Sequence, residues 1–227
     1  MATIQYVTAG AIAGATTAPT ITVPAGIQNG DLLLMLCESA NQAISVTSPA
    51  GWTEVGTQAS QAIGTAAGAT ATRLAVFYKF TTGTETNPVL IDSGQHTLGQ
   101  ILVFRNVNYR NPFIATASGA TTVTLTTTFS FPTVTTTVPN SLIFLCCASH
   151  LNTTVFNALP TNANLTSITE RVDNGNAAGN GGSIAAWTSF KSTAGATGAT
   201  SAVSATSAIF GYLTIALRPE ARRFLVS

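Results

Sequence analysis

The run Asp31-Leu32-Leu33-Leu34-Met35-Leu36-Cys37 returns in the second half of the chain as Leu142-Ile143-Phe144-Leu145-Cys146-Cys147. A continuous apolar run of strand length suits a β-strand covered on both faces, or one in the middle of a sandwich. The blocks behind it recur as well. Gly51-Trp52-Thr53-Glu54-Val55 is answered by Ser167-Ile168-Thr169-Glu170-Arg171, Leu74-Ala75-Val76-Phe77-Tyr78-Lys79-Phe80 by Ile184-Ala185-Ala186-Trp187-Thr188-Ser189-Phe190, and Ile101-Leu102-Val103-Phe104-Arg105 by Thr214-Ile215-Ala216-Leu217-Arg218. Blocks recurring in one order at a nearly constant separation predict two related sets of strands packed against each other.

No stretch sustains a helical apolar period with caps at both ends, so the chain reads as all-β. Further strands are expected at Thr3 to Ala9, Thr20 to Pro24, Thr122 to Thr128 and Thr133 to Val138. The segments Gln58 to Ala71, Asp173 to Gly182 and Ser192 to Ser204 are rich in Gly, Ala, Asn and Thr and read as loops or hairpin tips. Either half alone leaves a sheet face uncovered, which predicts one shared core over residues 1–218, with halves of about 1–106 and 107–218 and an arm at 219–227.

Composition narrows the partners. With 227 residues and 45% hydrophobic content, the chain can bury roughly 70% of its unfolded surface without staples. Only 7% of residues are charged and the formal net charge is +1, against about a quarter charged in ordinary soluble domains. Basic charge this dispersed argues against binding nucleic acid or anionic membranes, and no apolar run is long enough to span a bilayer. The N-terminus has no basic or apolar leader, so synthesis and folding in a cytoplasm are expected. Surface charge ordinarily keeps apolar surfaces apart, so the expectation is that partner subunits cover much of this surface.

Candidate chemistry is sparse. Cys37, Cys146 and Cys147 lie in apolar runs without paired His spacing, which points to buried hydrophobes and away from zinc or a disulfide framework. A Ser-His-Asp set drawn from Ser93, His96 or His150, and Asp92 lacks a Gly-x-Ser-x-Gly context. Glu54 and Glu170 are repeat-equivalent and have the residue type of a glycosidase pair, or simply solvate outward strand faces. Asp173, Asn174 and Asn176 offer calcium only one carboxylate. Trp52 and Trp187 read as packing residues rather than sugar-stacking ones. Arg105 and Arg218 end equivalent strands and are expected to pair with a carboxylate or cap carbonyls. No catalytic residue, cofactor or metal is expected.

The succession Val23-Pro24-Ala25-Gly26-Ile27-Gln28-Asn29-Gly30-Asp31-Leu32, Ser48-Pro49-Ala50-Gly51-Trp52-Thr53, Ala75-Val76-Phe77-Tyr78-Lys79, Val103-Phe104-Arg105-Asn106-Val107 before Asn111-Pro112, and Ile215-Ala216-Leu217-Arg218-Pro219 resembles a Thr/Ala/Gly-rich β-sandwich module of tailed-phage and prophage virion proteins. The resemblance implies a jelly-roll-like sandwich without catalytic residues, on a virion surface. A free-standing copy suits a capsid decoration or cement protein that contacts the major capsid protein, and matching symmetry at local three-fold joints of a shell adds the expectation of a homotrimer; the alternative is a glycan-binding receptor module of a tail or head fibre, using loops with Trp52, Tyr109 or 173–182. Within the arm, Arg218, Arg222 and Arg223 beside Phe224 and Leu225 form the expected contact with a neighbouring subunit or the shell.

Overall fold

The structure is a computed structural model that describes residues 2–40, 42–56, 70–92, 94–116, 119–153 and 155–221. Most of the loop expected at 58–71, together with Ser93 and the arm residues Arg222, Arg223, Phe224 and Leu225, lies outside the described residues.

The first half forms β1 (Gln5–Ala9), β2 (Ala13–Ala15), β3 (Leu32–Ser39), β4 (Ser45–Ser48), β5 (Thr53–Glu54), β6 (Arg73–Phe80), β7 (Val89–Ile91) and β8 (Thr97–Arg105). The second forms β9 (Phe113–Thr116), β10 (Ala120–Thr121), β11 (Thr126–Phe131), β12 (Thr135–Thr136), β13 (Ser141–Ser149), β14 (Thr166–Asn176), β15 (Gly182–Lys191), β16 (Gly195–Ala196), β17 (Thr200–Ala208) and β18 (Phe210–Leu217). The fold is all-β and antiparallel, with each main sheet built from one half of the chain. One sheet runs β1-β8-β3-β6-β5 and the other β10-β18-β13-β15-β14, so β8, β3, β6 and β5 hold the places that β18, β13, β15 and β14 hold opposite.

The apolar runs make sense in this sandwich. Side chains alternate across a strand, so Leu32, Leu34 and Leu36 enter the core between the sheets while Leu33, Met35 and Cys37 enter a second core on the outer face. Strand β13 does the same, sending Leu142, Phe144 and Cys146 inward and Ile143, Leu145 and Cys147 outward. Phe104 and Phe144 meet edge to face across the sheets with centroids 5.5 Å apart. Burial on both faces is what removes the polar alternation expected of a one-sided strand.

The outer cores are roofed by shorter elements. Ile21, Ile44 and Leu90 cover the first sheet with Trp52 packed beside them. Phe129, Phe131 and Phe156 cover the second, where the Phe156 and Trp187 rings stand nearly perpendicular at 4.8 Å. The roof of the second sheet includes the ribbon β11–β17, and here the structure departs from the expected loop at Ser192 to Ser204. Thr200 to Ala208 is a strand whose residues alternate between buried and exposed up to Ser204, because pairing with β11 supplies a register that its Ser/Ala/Thr composition does not announce. The expected loop at Asp173 to Gly182 is likewise shorter, since β14 runs on to Asn176. Thr20 to Pro24 makes one isolated bridge, Thr20 to Val89, rather than a strand.

Candidate functional site

Strand β3 carries a polar group at each end, and these mark the two ends of the sandwich, roughly 24 Å apart at about 3.4 Å per residue. Asp31 precedes the strand and Glu38 closes its inward-facing row of Leu32, Leu34 and Leu36.

At the Glu38 end a carboxylate is locked inside the inter-sheet core. Glu38 is 0% and His96 1% exposed. His96 Nε2 and Glu38 Oε2 are 2.8 Å apart, and Glu38 Oε1 accepts a 3.0 Å bond from the Thr72 hydroxyl. Gly182, opening β15 on the opposite sheet, packs so closely on the carboxylate that a Cβ would overlap it. Burial raises the Glu38 pKa to about 7 against the lowering effect of His96 and Thr72. Burial works to lower the His96 pKa, but the hydrogen bond and charge of Glu38, with Asp92, win and raise it. Beside this pair, Gln100 donates to the Gly10 carbonyl at 2.7 Å and accepts a 3.0 Å bond from Asn174 of the other sheet. The cluster joins the halves, and its enclosure leaves Glu38 and His96 no access to a dissolved substrate.

The other candidates are kept apart. Asp92 Oδ1 accepts the Gly94 amide at 3.1 Å, and His96 turns to Glu38 rather than to a serine. His150 accepts the Ile209 amide at 3.2 Å, and burial lowers its pKa. Glu54 is paired with Phe77 and Glu170 with Trp187. Cross-strand partners share a face, and Phe77 and Trp187 belong to opposite outer cores, so both sheets separate these two carboxylates. Asp173 spends its oxygens on the Val155 and Phe156 amides at 3.2 and 2.9 Å. Asn176 Oδ1 accepts the Ala178 amide at 2.9 Å, so the trio does not converge on a common point. Cys37, Cys146 and Cys147 are free and buried.

At the Asp31 end lies an open surface. Arg105 clamps Asp31 with two bonds of 2.7 Å from Nε and Nη2, meeting the expected role of a strand-ending arginine. Arg218, which follows the corresponding strand β18, behaves differently, since its Nε is buried with no partner among the described residues. The connector between the halves is fastened here. Asn108 N donates to Arg218 O at 2.9 Å, Arg218 N to Pro112 O at 2.7 Å and Glu220 N to Asn106 O at 2.9 Å. Ordered structure therefore extends past Arg218 to Glu220, whose carbonyl accepts the Ala2 amide at 3.3 Å. Tyr109, at the connector's apex, is 70% exposed and rests on Phe80 with ring centroids 4.7 Å apart. A cleft of about 510 Å³ lined by Asn108, Tyr109, Arg110, Glu220 and Ala221 adjoins one of about 380 Å³ lined by Gln28, Asn29, Asp31 and Arg105, both bordered by Tyr109 and Glu220.

The chain matches no family model, no curated protein and no solved structure.

Proposed function

We propose that this chain is a structural, non-enzymatic subunit of a tailed-phage virion: a decoration or cement protein made in the host cytoplasm that binds the assembled capsid as a homotrimer and reinforces joints in its shell. The observation that carries the reading is the outer ribbon β11–β17, whose residues, TTTFSF and TSAVSATSA, include no charged side chain. Val203 on it is 53% exposed. Burying charge against a partner costs desolvation energy that hydroxyls and methyls largely avoid, so a neutral face of this kind suits permanent cover by a repeating protein lattice. The doubly buried central strands support the same reading, since a cement must resist deformation. Identical subunits at local three-fold joints each make the same contact, which favours a trimer.

The arm, with Arg218, Arg222, Arg223, Phe224 and Leu225, is the proposed anchor on the major capsid protein or a neighbouring subunit. Co-sedimentation of purified chain with undecorated shells tests the reading. Saturation at hundreds of copies per particle supports it. Saturation at a few to dozens, or none, contradicts it and favours a receptor module.

A further inference from the structure

We infer that the paired clefts around Tyr109 form a binding site for a neutral oligosaccharide. The inference is independent of the capsid reading and rests on what the two clefts present together. Tyr109 offers one exposed ring face, propped from beneath by Phe80 at 4.7 Å, while its loop is held by the backbone bonds from Asn108, Arg218 and Glu220. Asn108 stiffens the loop further, its Oδ1 accepting the Arg110 and Asn111 amides at 3.1 and 2.9 Å. The ring is therefore set in place before any ligand arrives, and little conformational freedom is lost on binding.

The walls decide the ligand class. Gln28 and Asn29 line the second cleft, and such amides present donors and acceptors side by side, as the vicinal hydroxyls of a sugar do; Asn108 Oδ1 is taken up by its own loop. Charges of both signs line the clefts: Arg105 is already committed to Asp31 by two bonds of 2.7 Å, and Arg110 and Glu220 both line the first cleft. Among the described residues a phosphate or uronate would meet no cluster of cations, only Arg110 beyond the Arg105–Asp31 pair, and it would face the Glu220 carboxylate. An apolar peptide anchor would meet, beside the Tyr109 ring, mainly amide and charged side chains. A pyranose satisfies both features, packing its C–H face on the Tyr109 ring and turning its hydroxyls to the amides, Arg110 and Glu220. Two adjoining clefts divided by one aromatic ring suit consecutive sugar units.

The test is saturation-transfer NMR on the full-length chain with maltohexaose, cellohexaose and mannohexaose as neutral probes, and hexagalacturonate and inorganic phosphate as charged ones. The expected result is binding of at least one neutral hexaose, with Kd on the order of a millimolar. Tyr109→Ala should weaken it by about tenfold or more, and Tyr109→Phe, which keeps the ring, should stay near wild type. Arg110→Ala, altering another exposed side chain, provides an independent loss if Tyr109→Ala fails to fold. No transfer to any neutral probe, transfer only to charged probes, or affinity unchanged in both Tyr109→Ala and Arg110→Ala overturns the assignment.

Discussion

His96 Nε2 meets Glu38 Oε2 at 2.8 Å between the two sheets, with Gly182 of the opposite sheet against the carboxylate. Both groups hold their protons more tightly when folded than when unfolded, so this pair makes stability fall as pH rises. The Glu38 contribution is fully present below about 4.5 and is lost as pH climbs through about 7; that of His96 is lost above 6.5. Asp92 is the other titratable group bearing on the pair. Burial raises the Asp173 pKa and adds to this slope, whereas the Glu85 pKa is lowered and opposes it, so the informative quantity is a difference. Denaturation of wild type and Glu38→Gln across this range should show a steeper loss for wild type, on the order of 1–2 kcal/mol. Parallel curves would refute the linkage.

Removing His96 strands the carboxylate. His96→Ala should cost about 3–5 kcal/mol in alkaline solution, as expected when one partner of a buried pair is deleted, and less at and below neutral pH, where Glu38, no longer held down by His96, takes its own proton. Gly182→Ala, which forces a methyl onto Glu38, should cost about 1–3 kcal/mol through overpacking. Urea midpoints measure both, and a change under about 0.5 kcal/mol in either would mean the seam is looser than described.

The shared inter-sheet core predicts cooperative unfolding. Phe144→Ala removes the ring that meets Phe104 at 5.5 Å and should cost about 3–5 kcal/mol. Calorimetry of wild type and variant should show one transition each, with equal calorimetric and van't Hoff enthalpies. Two transitions would mean that the halves fold as separate units.

The thiols should be silent in the folded protein. Burial pushes the Cys146 thiol above the range in which thiolates form, and raises those of Cys37 and Cys147 as well. A thiol-exchange reagent at pH 8 should label none of them until denaturant is added, because the thiolate is the reactive form. Rapid labelling of the native chain would contradict the two-sided burial of β3 and β13.

How legible these features are in sequence depends on what each residue reports. Leu32 to Cys37 and Leu142 to Cys147 announce buried central strands because apolar side chains fill both faces. The strand from Thr200 to Ala208 is hidden, since its small residues resemble a loop and only pairing with β11 orders them. The Glu38–His96 pair is missed because its partners are 58 residues apart. One signal was present: Glu38 continues the inward row of Leu32, Leu34 and Leu36, where an unpaired carboxylate could not remain. That Arg105 and Arg218 end corresponding strands is visible in sequence, but their different partners are set by Asp31, which has no counterpart in the second half: Ser141 stands just before Leu142.

Truncation tests the proposed role of the arm. Truncation after Ala221, which keeps the Glu220 backbone bonds, should leave the melting temperature unchanged but abolish trimer formation or shell binding. Native mass spectrometry and co-sedimentation read the two effects. Normal assembly by the truncated chain would remove residues 222–227 from the interface.

The most direct measurement of the proposed capsid role is a reconstruction of tailed-phage particles assembled in the presence of this chain, with the chain carrying an electron-dense tag. The account predicts tag density repeated over the capsid surface at local three-fold joints, three copies to a joint. Density confined to the tail tip, or absent from the particle, would contradict it.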